Sequence, residues 1–117
     1  MGFSTKYSFE DRLKESNRIV EKYPDKVPII CEKYDKDKSL YKIDKNKFLA
    51  GGDLTMGQFI YVIRKRIKMK STEGLYLFID NTIPPNTQLL SDLYKKHKNE
   101  DGFLYVKFSL ENTFGYS

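Results

Sequence analysis

The sequence is poor in the residues that build disulfides, metal sites and nucleophilic centres. One cysteine, Cys31, excludes an intrachain disulfide and a zinc ribbon, because both need more than one thiol. His97 is the single histidine. Spacing alone leaves a cysteine–histidine pair open, but no third member or acidic pattern supports it. No glycine-rich phosphate loop or metal-ligand cluster occurs, so we expect no cofactor and no metal.

Long apolar runs are also missing. No stretch approaches the roughly 18 apolar residues of a membrane-spanning helix. The first residues contain no apolar segment typical of a secretory signal. No repeat and no Gly/Ser linker divides the 117 residues, a length that suits one domain. Aromatic residues, in contrast, make up 15% of the chain, which favours a packed core over disorder.

Positive charge exceeds negative charge, with 21 Lys and Arg against 16 Asp and Glu. The excess lies in residues 27–70, which hold 11 basic and 5 acidic residues. Such a segment suits nucleic acid, an anionic membrane or acidic peptides, although a small excess is more often a solvated surface. No nucleic-acid-binding signature accompanies the interleaved tyrosines and lysines, so we do not expect nucleic acid as a partner.

Two segments have the apolar spacing of amphipathic helices. Ser8 is a candidate cap for the first, which we predict over residues 9–22 after a short irregular arm. Thr55 and Gln58 form a candidate capping box before the second, which we predict over residues 56–69. A shorter helix is expected to end near His97.

Four short segments are rich in β-forming residues, at 27–33, 47–50, 75–79 and 103–108. Pro28 must lie at an edge, a strand start or a bulge, because it lacks an N–H. The third segment is continuously apolar, which predicts a buried central strand. The resulting order indicates an α+β, ubiquitin-like β-grasp with an N-terminal helical extension. We expect a single domain, with the extension over 1–24, the core over 27–108 and a flexible tail over 109–117.

Several strings are more specific than this order of elements. They are residues 23–30 (YPDKVPII), 44–49 (DKNKFL), 53–59 (DLTMGQF) with 63–66 (IRKR), 83–85 (IPP), 100–105 (EDGFLY) and 111–115 (ENTFG). In this order and spacing they closely resemble the autophagy-related protein 8 family, which includes the GABA-receptor-associated proteins and microtubule-associated light chain 3. The resemblance covers residues 5–115.

The resemblance implies a ubiquitin-like modifier that acts in autophagy and is not an enzyme. Family members are trimmed by a cysteine protease to a C-terminal glycine. E1-like and E2-like enzymes then activate that glycine and join it to phosphatidylethanolamine on autophagosomal membranes. There the proteins recruit cargo receptors and adaptors through aromatic-x-x-aliphatic peptides. The resemblance thus implies a cytoplasmic protein, monomeric in solution, that reaches autophagosome or vesicle membranes as a lipid conjugate.

Gly115 matches the family's conjugated glycine. The resemblance therefore implies cleavage before Tyr116 and loss of Tyr116 and Ser117. A glycine carboxylate has no side chain beside it and can enter a narrow active site. Gly51-Gly52 lies between a strand and a helix and is interpreted as a turn. The alternative function is a nonconjugated, basic β-grasp adaptor for cytoskeletal or vesicle-trafficking proteins. Gly115 distinguishes the two functions, because only the conjugated modifier needs this glycine.

The resemblance also places a peptide site along Lys47–Leu49, where an extended ligand would add to a strand edge. The aromatic pocket, for the first anchor, maps to Glu15, Ile19, Pro28, Ile30, Lys47, Leu49 and Phe103. The aliphatic pocket, for the second anchor, maps to Phe48, Ala50, Leu54, Phe59, Val62 and Ile63. Taken singly, most of these apolar residues are more typical of a core than of a binding pocket. Ala50-Gly51 replaces the larger residue and proline common in the family, which predicts a wider or softer aliphatic pocket.

Basic residues match family positions that meet acidic residues beside the aromatic anchor. They are Lys45, Lys47 and Arg66, with Lys26 at a neighbouring position. Exposed ion pairs contribute about 0–1 kcal/mol each, so such contacts adjust association rate and selectivity more than affinity. Asn46 interrupts the usual basic run, which predicts a smaller electrostatic contribution.

Overall fold

The computed structural model describes residues 2–37, 41–70 and 73–110. Over these ranges the elements are α1 (Phe3–Lys6), α2 (Phe9–Lys22), β1 (Lys26–Lys33), β2 (Lys47–Gly51), α3 (Met56–Arg66), β3 (Tyr76–Phe78), α4 (Leu90–His97) and β4 (Leu104–Ser109). The predicted order is present, with one helix more. The segment expected to be irregular forms α1, which is too short for apolar periodicity to reveal it.

The strands form one mixed sheet in the order β2-β1-β4-β3. Strand β1 pairs antiparallel with β2 and parallel with β4, and β3 pairs antiparallel with β4. The prediction of a central position for β3 is therefore wrong, because β3 is an edge strand. It is apolar because both faces are covered: Leu77 packs in the main core, and the Phe78 ring lies 5.8 Å from that of Tyr34.

Pro28 lies near the start of β1, as its missing N–H requires. The Cys31 N–H donates to the carbonyl of Asn46, on the β2 side of the strand. Backbone groups an odd number of residues away point to the opposite side, so position 28 faces β4. Pairing with β4 begins only at Ile29, opposite Leu104. The proline therefore removes no hydrogen bond from the sheet.

The two long helices begin as predicted. In α2, the Asp11 N–H donates to Ser8 Oγ over 3.1 Å. In α3, the Gln58 N–H donates to Thr55 Oγ1 over 3.2 Å, and the Thr55 N–H donates to Gln58 Oε1 over 2.8 Å. These bonds satisfy backbone donors that the first helical turn leaves free.

Helix α3 ends at Arg66, earlier than its apolar spacing predicts. The Lys68 N–H donates to the Lys65 carbonyl, and the Met69 N–H donates to the Arg64 carbonyl. This pair of bonds is a Schellman motif, which needs a residue in the left-handed region. Lys68 takes that conformation with φ at 58°. A glycine would normally mark such an end, and its absence explains the overlong prediction.

The sheet separates two apolar clusters. The larger lies against α3 and α4 and contains the fully buried Phe59, Ile63 and Phe108. Cys31 belongs to it, and burial raises the pKa of its thiol. The smaller cluster lies on the α2 side and consists of Phe3, Ile19, Ile30 and Phe103, with Tyr105 packed against it.

A hydrogen-bond network around Asp101 holds α2 on the sheet. The fully buried carboxylate accepts from Arg12 over 2.7 Å, from the Phe103 N–H over 2.9 Å and from the Tyr105 hydroxyl over 2.5 Å. Ser16 Oγ donates to the Asp101 carbonyl over 2.5 Å. The network fixes the helix that forms one wall of the predicted peptide site.

Candidate functional site

Strand β2 has one unpaired edge within the described residues, because it pairs only with β1. Lys47 and Leu49 lie opposite Ile30 and Pro28, on the α2 face of the sheet. Phe48, the residue between them, lies on the α3 face. An extended peptide bound at this edge would therefore have access to a different apolar surface on each face of the sheet.

The aromatic-pocket residues come together on the α2 face, but the floor of the pocket is covered. Ile19, Ile30 and Phe103 pack in one cluster and are at most 1% exposed. Phe3 completes that cluster, and its ring centroid lies 5.2 Å from that of Phe103. Leu49 remains 43% exposed at the strand edge.

A cleft of about 340 Å³ adjoins the aromatic pocket and shares its rim. It is lined by Phe3, Tyr7, Asp11, Arg12, Glu15 and Lys47. Glu15 and Lys47 are predicted site residues, whereas Phe3 and Tyr7 were missed. Two aromatic residues in an otherwise polar N-terminal segment were the available signal, but nothing local indicated what they would contact.

Two of the aliphatic-pocket residues, Phe48 and Val62, line an open groove on the α3 face. The groove has a volume of about 450 Å³. It is lined by Phe48, Tyr61, Val62, Lys65 and Arg66. Phe59 and Ile63 are at most 1% exposed and belong to the core beneath it. Leu54 is partly buried against the same core, and Ala50 is buried within it. Tyr61, which is 60% exposed, is a wall residue that the sequence prediction missed.

The Ala50-Gly51 pair leaves little side-chain bulk at the end of β2. A methyl group placed on Gly51 would meet Asp53 Oδ1 at 2.7 Å. The carboxylate of Asp53 thus approaches the backbone where most residues would carry a side chain. Whether the aliphatic pocket is wider for this reason stays a prediction.

Two cations flank the Phe48 ring. Lys45 Nζ lies 5.9 Å and Arg66 Cζ 5.8 Å from its centroid. Arg66 Nε also lies 3.8 Å from Asp44 Oδ1, with both side chains exposed. Within the described residues, neither cation is held in a buried ion pair.

Glu15 joins the rim of the aromatic pocket to β2. Its carboxylate accepts from Arg18 Nε over 2.9 Å and from Lys47 Nζ over 2.5 Å. The hydrogen bond from Arg18, followed by that from Lys47, lowers the pKa of Glu15 to about 2. Lys47 is thus bound to an internal carboxylate at the position where a ligand's acidic residue is expected.

The remaining candidates lie away from the groove. His97, at the end of α4, has Nδ1 2.6 Å from Asp80 Oδ2, and its side chain is 20% exposed. In the part of the chain that the structure describes, no three His, Cys, Asp or Glu residues form a metal-binding group. No helix there is both long and apolar enough to cross a membrane. Gly115 and Tyr116 lie outside the described residues.

Comparisons with known proteins agree with this fold. A family model described as "Autophagy protein Atg8 ubiquitin like" matches residues 11–115. Autophagy-related protein 8 of Schizosaccharomyces pombe is 55% identical over 113 residues, which cover 97% of this chain and 93% of that protein. The Mycosarcoma maydis protein of the same name is 51% identical, with 97% and 95% covered.

A solved structure gives the same result in three dimensions. The crystal structure of Trypanosoma brucei ATG8 matches with a TM-score of 0.88 at 38% identity, and the match covers 93% of each chain. This likeness and the family description confirm the predicted ubiquitin-like fold. The chain belongs to the Atg8 family of autophagy ubiquitin-like proteins.

Proposed function

We propose that the protein is a modifier that is conjugated through Gly115 to phosphatidylethanolamine and recruits cargo receptors and adaptors by binding aromatic-x-x-aliphatic peptides. The observation that carries the peptide-binding part is the unpaired edge of β2 with apolar side chains on both faces of the sheet. Family membership supports the conjugation part. The protein then works in the cytoplasm and on autophagosome or vesicle membranes. It acts there by binding receptors and adaptors and not as an enzyme.

The geometry of β2 fits the spacing of the two peptide anchors. Side chains three residues apart on a strand point to opposite faces. The aromatic pocket lies on the α2 face of β2 and the aliphatic pocket on the α3 face. A peptide strand paired with Lys47–Leu49 therefore directs its first anchor to one pocket and its second anchor to the other.

Charge around the groove favours peptides with acidic flanks. Lys45 and Arg66 stand beside Phe48 on the α3 side, and Lys47 stands on the α2 side. Acidic residues before the aromatic anchor would approach these cations as the strand pairs. Such exposed contacts mainly increase the association rate and the preference for acidic partners.

Conjugation uses the chemistry of the Gly115 carboxylate. A cysteine protease hydrolyses the Gly115–Tyr116 bond, and the E1-like enzyme adenylates the new carboxylate. A thiol of that enzyme displaces AMP from the acyl adenylate and forms a thioester, and a thiol of the E2-like enzyme then displaces the first thiol and holds the glycine as a new thioester. The amine of phosphatidylethanolamine attacks the thioester, forms the amide and releases the thiol. Cys31 is buried and takes no part in these steps.

Leu49→Ala tests the peptide site with little risk to the core, because Leu49 is 43% exposed. Removing its apolar contact should weaken an acidic-flanked aromatic-x-x-aliphatic peptide about tenfold, which corresponds to about 1.4 kcal/mol. Ile83→Ala is the matched control, since Ile83 is also 43% exposed but lies outside β2. Calorimetric titration measures both, and circular dichroism checks the fold. Equal affinity of the Leu49 variant and the wild type would contradict the proposed site.

Gly115→Ala tests conjugation in cells. The added methyl group must enter active sites shaped for glycine, so the variant should not become lipidated. A chain truncated after Gly115 should bypass the protease and still gain the lipid. Mass spectrometry of the protein from starved cells reads both the loss of Tyr116-Ser117 and the lipid. A lipidated Gly115→Ala protein would contradict the requirement for glycine at position 115, and unmodified wild type would favour the nonconjugated adaptor.

A further inference from the structure

Phe3 occupies the surface that the aromatic pocket would offer to a ligand. Its side chain is 8% exposed and belongs to one cluster with Ile19, Ile30 and Phe103. Its ring meets the Phe103 ring nearly edge-on, with planes at 73°. Because packed interiors leave almost no free volume, a second aromatic ring cannot contact the same cluster while Phe3 remains there.

The N-terminal arm, residues 2–7, has few other attachments to the rest of the protein. Ser4, Thr5 and Lys6 are exposed, and the Tyr7 side chain is 44% exposed. Helix α1 has four residues, far below the roughly 12–15 that an isolated helix needs to be stable. Its backbone is tied to the sheet by the Phe3 N–H, which donates to Glu32 Oε2 over 2.8 Å.

The arm also stands beside the route to the pocket. The 340 Å³ cleft has Phe3 and Tyr7 on one side and Glu15 and Lys47 on the other. Glu15 and Lys47 are the rim of the aromatic pocket. Departure of Phe3 would therefore open the covered floor directly to a cleft that solvent and a peptide can already reach.

We infer that Phe3 is an intramolecular ligand of the aromatic pocket, which a peptide's aromatic anchor must displace. The inference rests on the proposed function, because it concerns the same peptide site. A segment held by one buried side chain and two hydrogen bonds, from the Phe3 N–H to Glu32 and from Arg12 Nε to the Tyr7 carbonyl, belongs to the least stable part of a fold and opens locally. Only molecules with the arm displaced accept the anchor. The apparent association constant is therefore the intrinsic constant multiplied by the fraction of molecules that are open. Phe3 packs only in the cluster on the α2 face, so binding of the second anchor in the aliphatic pocket is not weakened in this way.

Phe3→Ala should therefore strengthen binding of peptides that carry an aromatic anchor. Two peptides serve as probes: an acidic-flanked Trp-x-x-Leu peptide, and the same peptide with alanine in place of tryptophan. If about a tenth of the molecules are open, calorimetric titration should show about tenfold tighter binding of the first peptide and no change for the second. Deletion of residues 1–7 should reproduce the gain without depending on one substitution. Ser4→Ala, an exposed change in the same arm, is the matched control and should leave both affinities unchanged.

A second measurement reads the displacement directly. Hydrogen exchange at the Phe3 amide, which is bonded to Glu32 in the free protein, should become faster when the Trp peptide saturates the wild type. Unchanged affinity in both arm variants would overturn the inference. Weaker binding would overturn it as well and would make Phe3 part of the pocket wall. If neither the wild type nor any arm variant binds the Trp peptide, the proposed peptide site fails; if the wild type binds in a Leu49-dependent manner without a gain in Phe3→Ala, only the role of Phe3 fails.

Discussion

At the scale of single residues, the ion pair between Glu15 and Lys47 affects both the stability of the fold and the proposed peptide site. Their side chains are 26% and 39% exposed, and the Glu15 carboxylate lies 2.5 Å from Lys47 Nζ. Solvent screens a pair at this exposure, so its contribution to stability is about 1 kcal/mol or less. Each peptide carboxylate that binds Lys47 has to compete with Glu15.

Glu15→Gln should lower stability in a pH-dependent way. Because the folded-state pKa of Glu15 is lowered from 4.5 to about 2, its stabilisation is complete above pH 4.5 and is lost as pH falls toward 2. Urea unfolding should show the wild type more stable by at most about 1 kcal/mol at pH 7, with the difference shrinking as pH falls through the folded-state pKa of about 2.

Glu100→Gln is the control for this pH dependence. Glu100 is exposed outside the helices and has no ion pair among the described residues, so its loss should change stability little at either pH. A difference between Glu15→Gln and the wild type that persists unchanged from pH 7 to pH 2 would show that the glutamate acts by packing, and that the ion pairs with Arg18 and Lys47 contribute nothing measurable.

At the scale of elements, α2 depends on the loop that precedes β4. Ser16 is buried in the middle of the helix, where a polar residue is unfavourable unless it is bonded. Its hydroxyl donates to the Asp101 carbonyl, and the next residue, Gly102, has φ at 87°. The close approach of helix and loop requires a residue without a side chain at this position.

Gly102→Ala should therefore detach α2 in part. The new methyl carbon would lie 2.2 Å from Ser16 Oγ and 2.9 Å from Ser16 Cβ, and φ would be strained for any residue except glycine. We expect a loss of unfolding free energy of at least about 2 kcal/mol, measured by urea denaturation. Gly57→Ala in α3 is the control, since its methyl would meet Asn86 no closer than 3.4 Å and alanine favours a helix. A Gly102 variant as stable as the wild type would contradict this account.

The success of sequence-based prediction also varied by element. Ser8, Thr55 and Gln58 revealed the starts of α2 and α3, because capping residues act on their own backbone. The end of α3 was missed because Lys68, a residue without preference for positive φ, takes the position of a glycine. The edge position of β3 was missed because an apolar run reports burial on both faces and not the number of neighbouring strands.

The same distinction applies to the candidate site. Alternation along β2 places Leu49 and Phe48 on opposite faces, and the structure agrees. That relation is local and follows from strand geometry. The packing of Phe3 with Ile19, Ile30 and Phe103 depends on contacts between residues far apart in sequence. No local pattern contains such a pairing, so the family resemblance named the expected pocket residues without indicating that Phe3 packs against three of them.

At the scale of the whole molecule, the net charge of +5 is less informative than its placement. Arg66 and Lys45 flank Phe48 at the proposed peptide groove, while carboxylates such as Glu32 and Asp101 are paired with cations elsewhere. A positive groove on a moderately basic protein attracts acidic peptides within about one Debye length, which is about 8 Å at physiological salt. Salt therefore separates this effect from packing.

Arg66→Glu should weaken an acidic-flanked peptide several-fold and leave a neutral-flanked peptide of the same anchors nearly unchanged. The side chain is 39% exposed, so reversal of its charge should not disturb the core. Calorimetric titration in 1 M salt should reduce the difference, because the Debye length falls to about 3 Å. Lys95→Glu on α4 changes the net charge equally but lies outside the groove, and it should leave both peptides unaffected. If Arg66→Glu weakens both peptides equally, Arg66 supports the fold or the Phe48 ring. If Lys95→Glu weakens the acidic-flanked peptide as much as Arg66→Glu does, the overall charge of the protein, and not its placement at the groove, attracts the ligand.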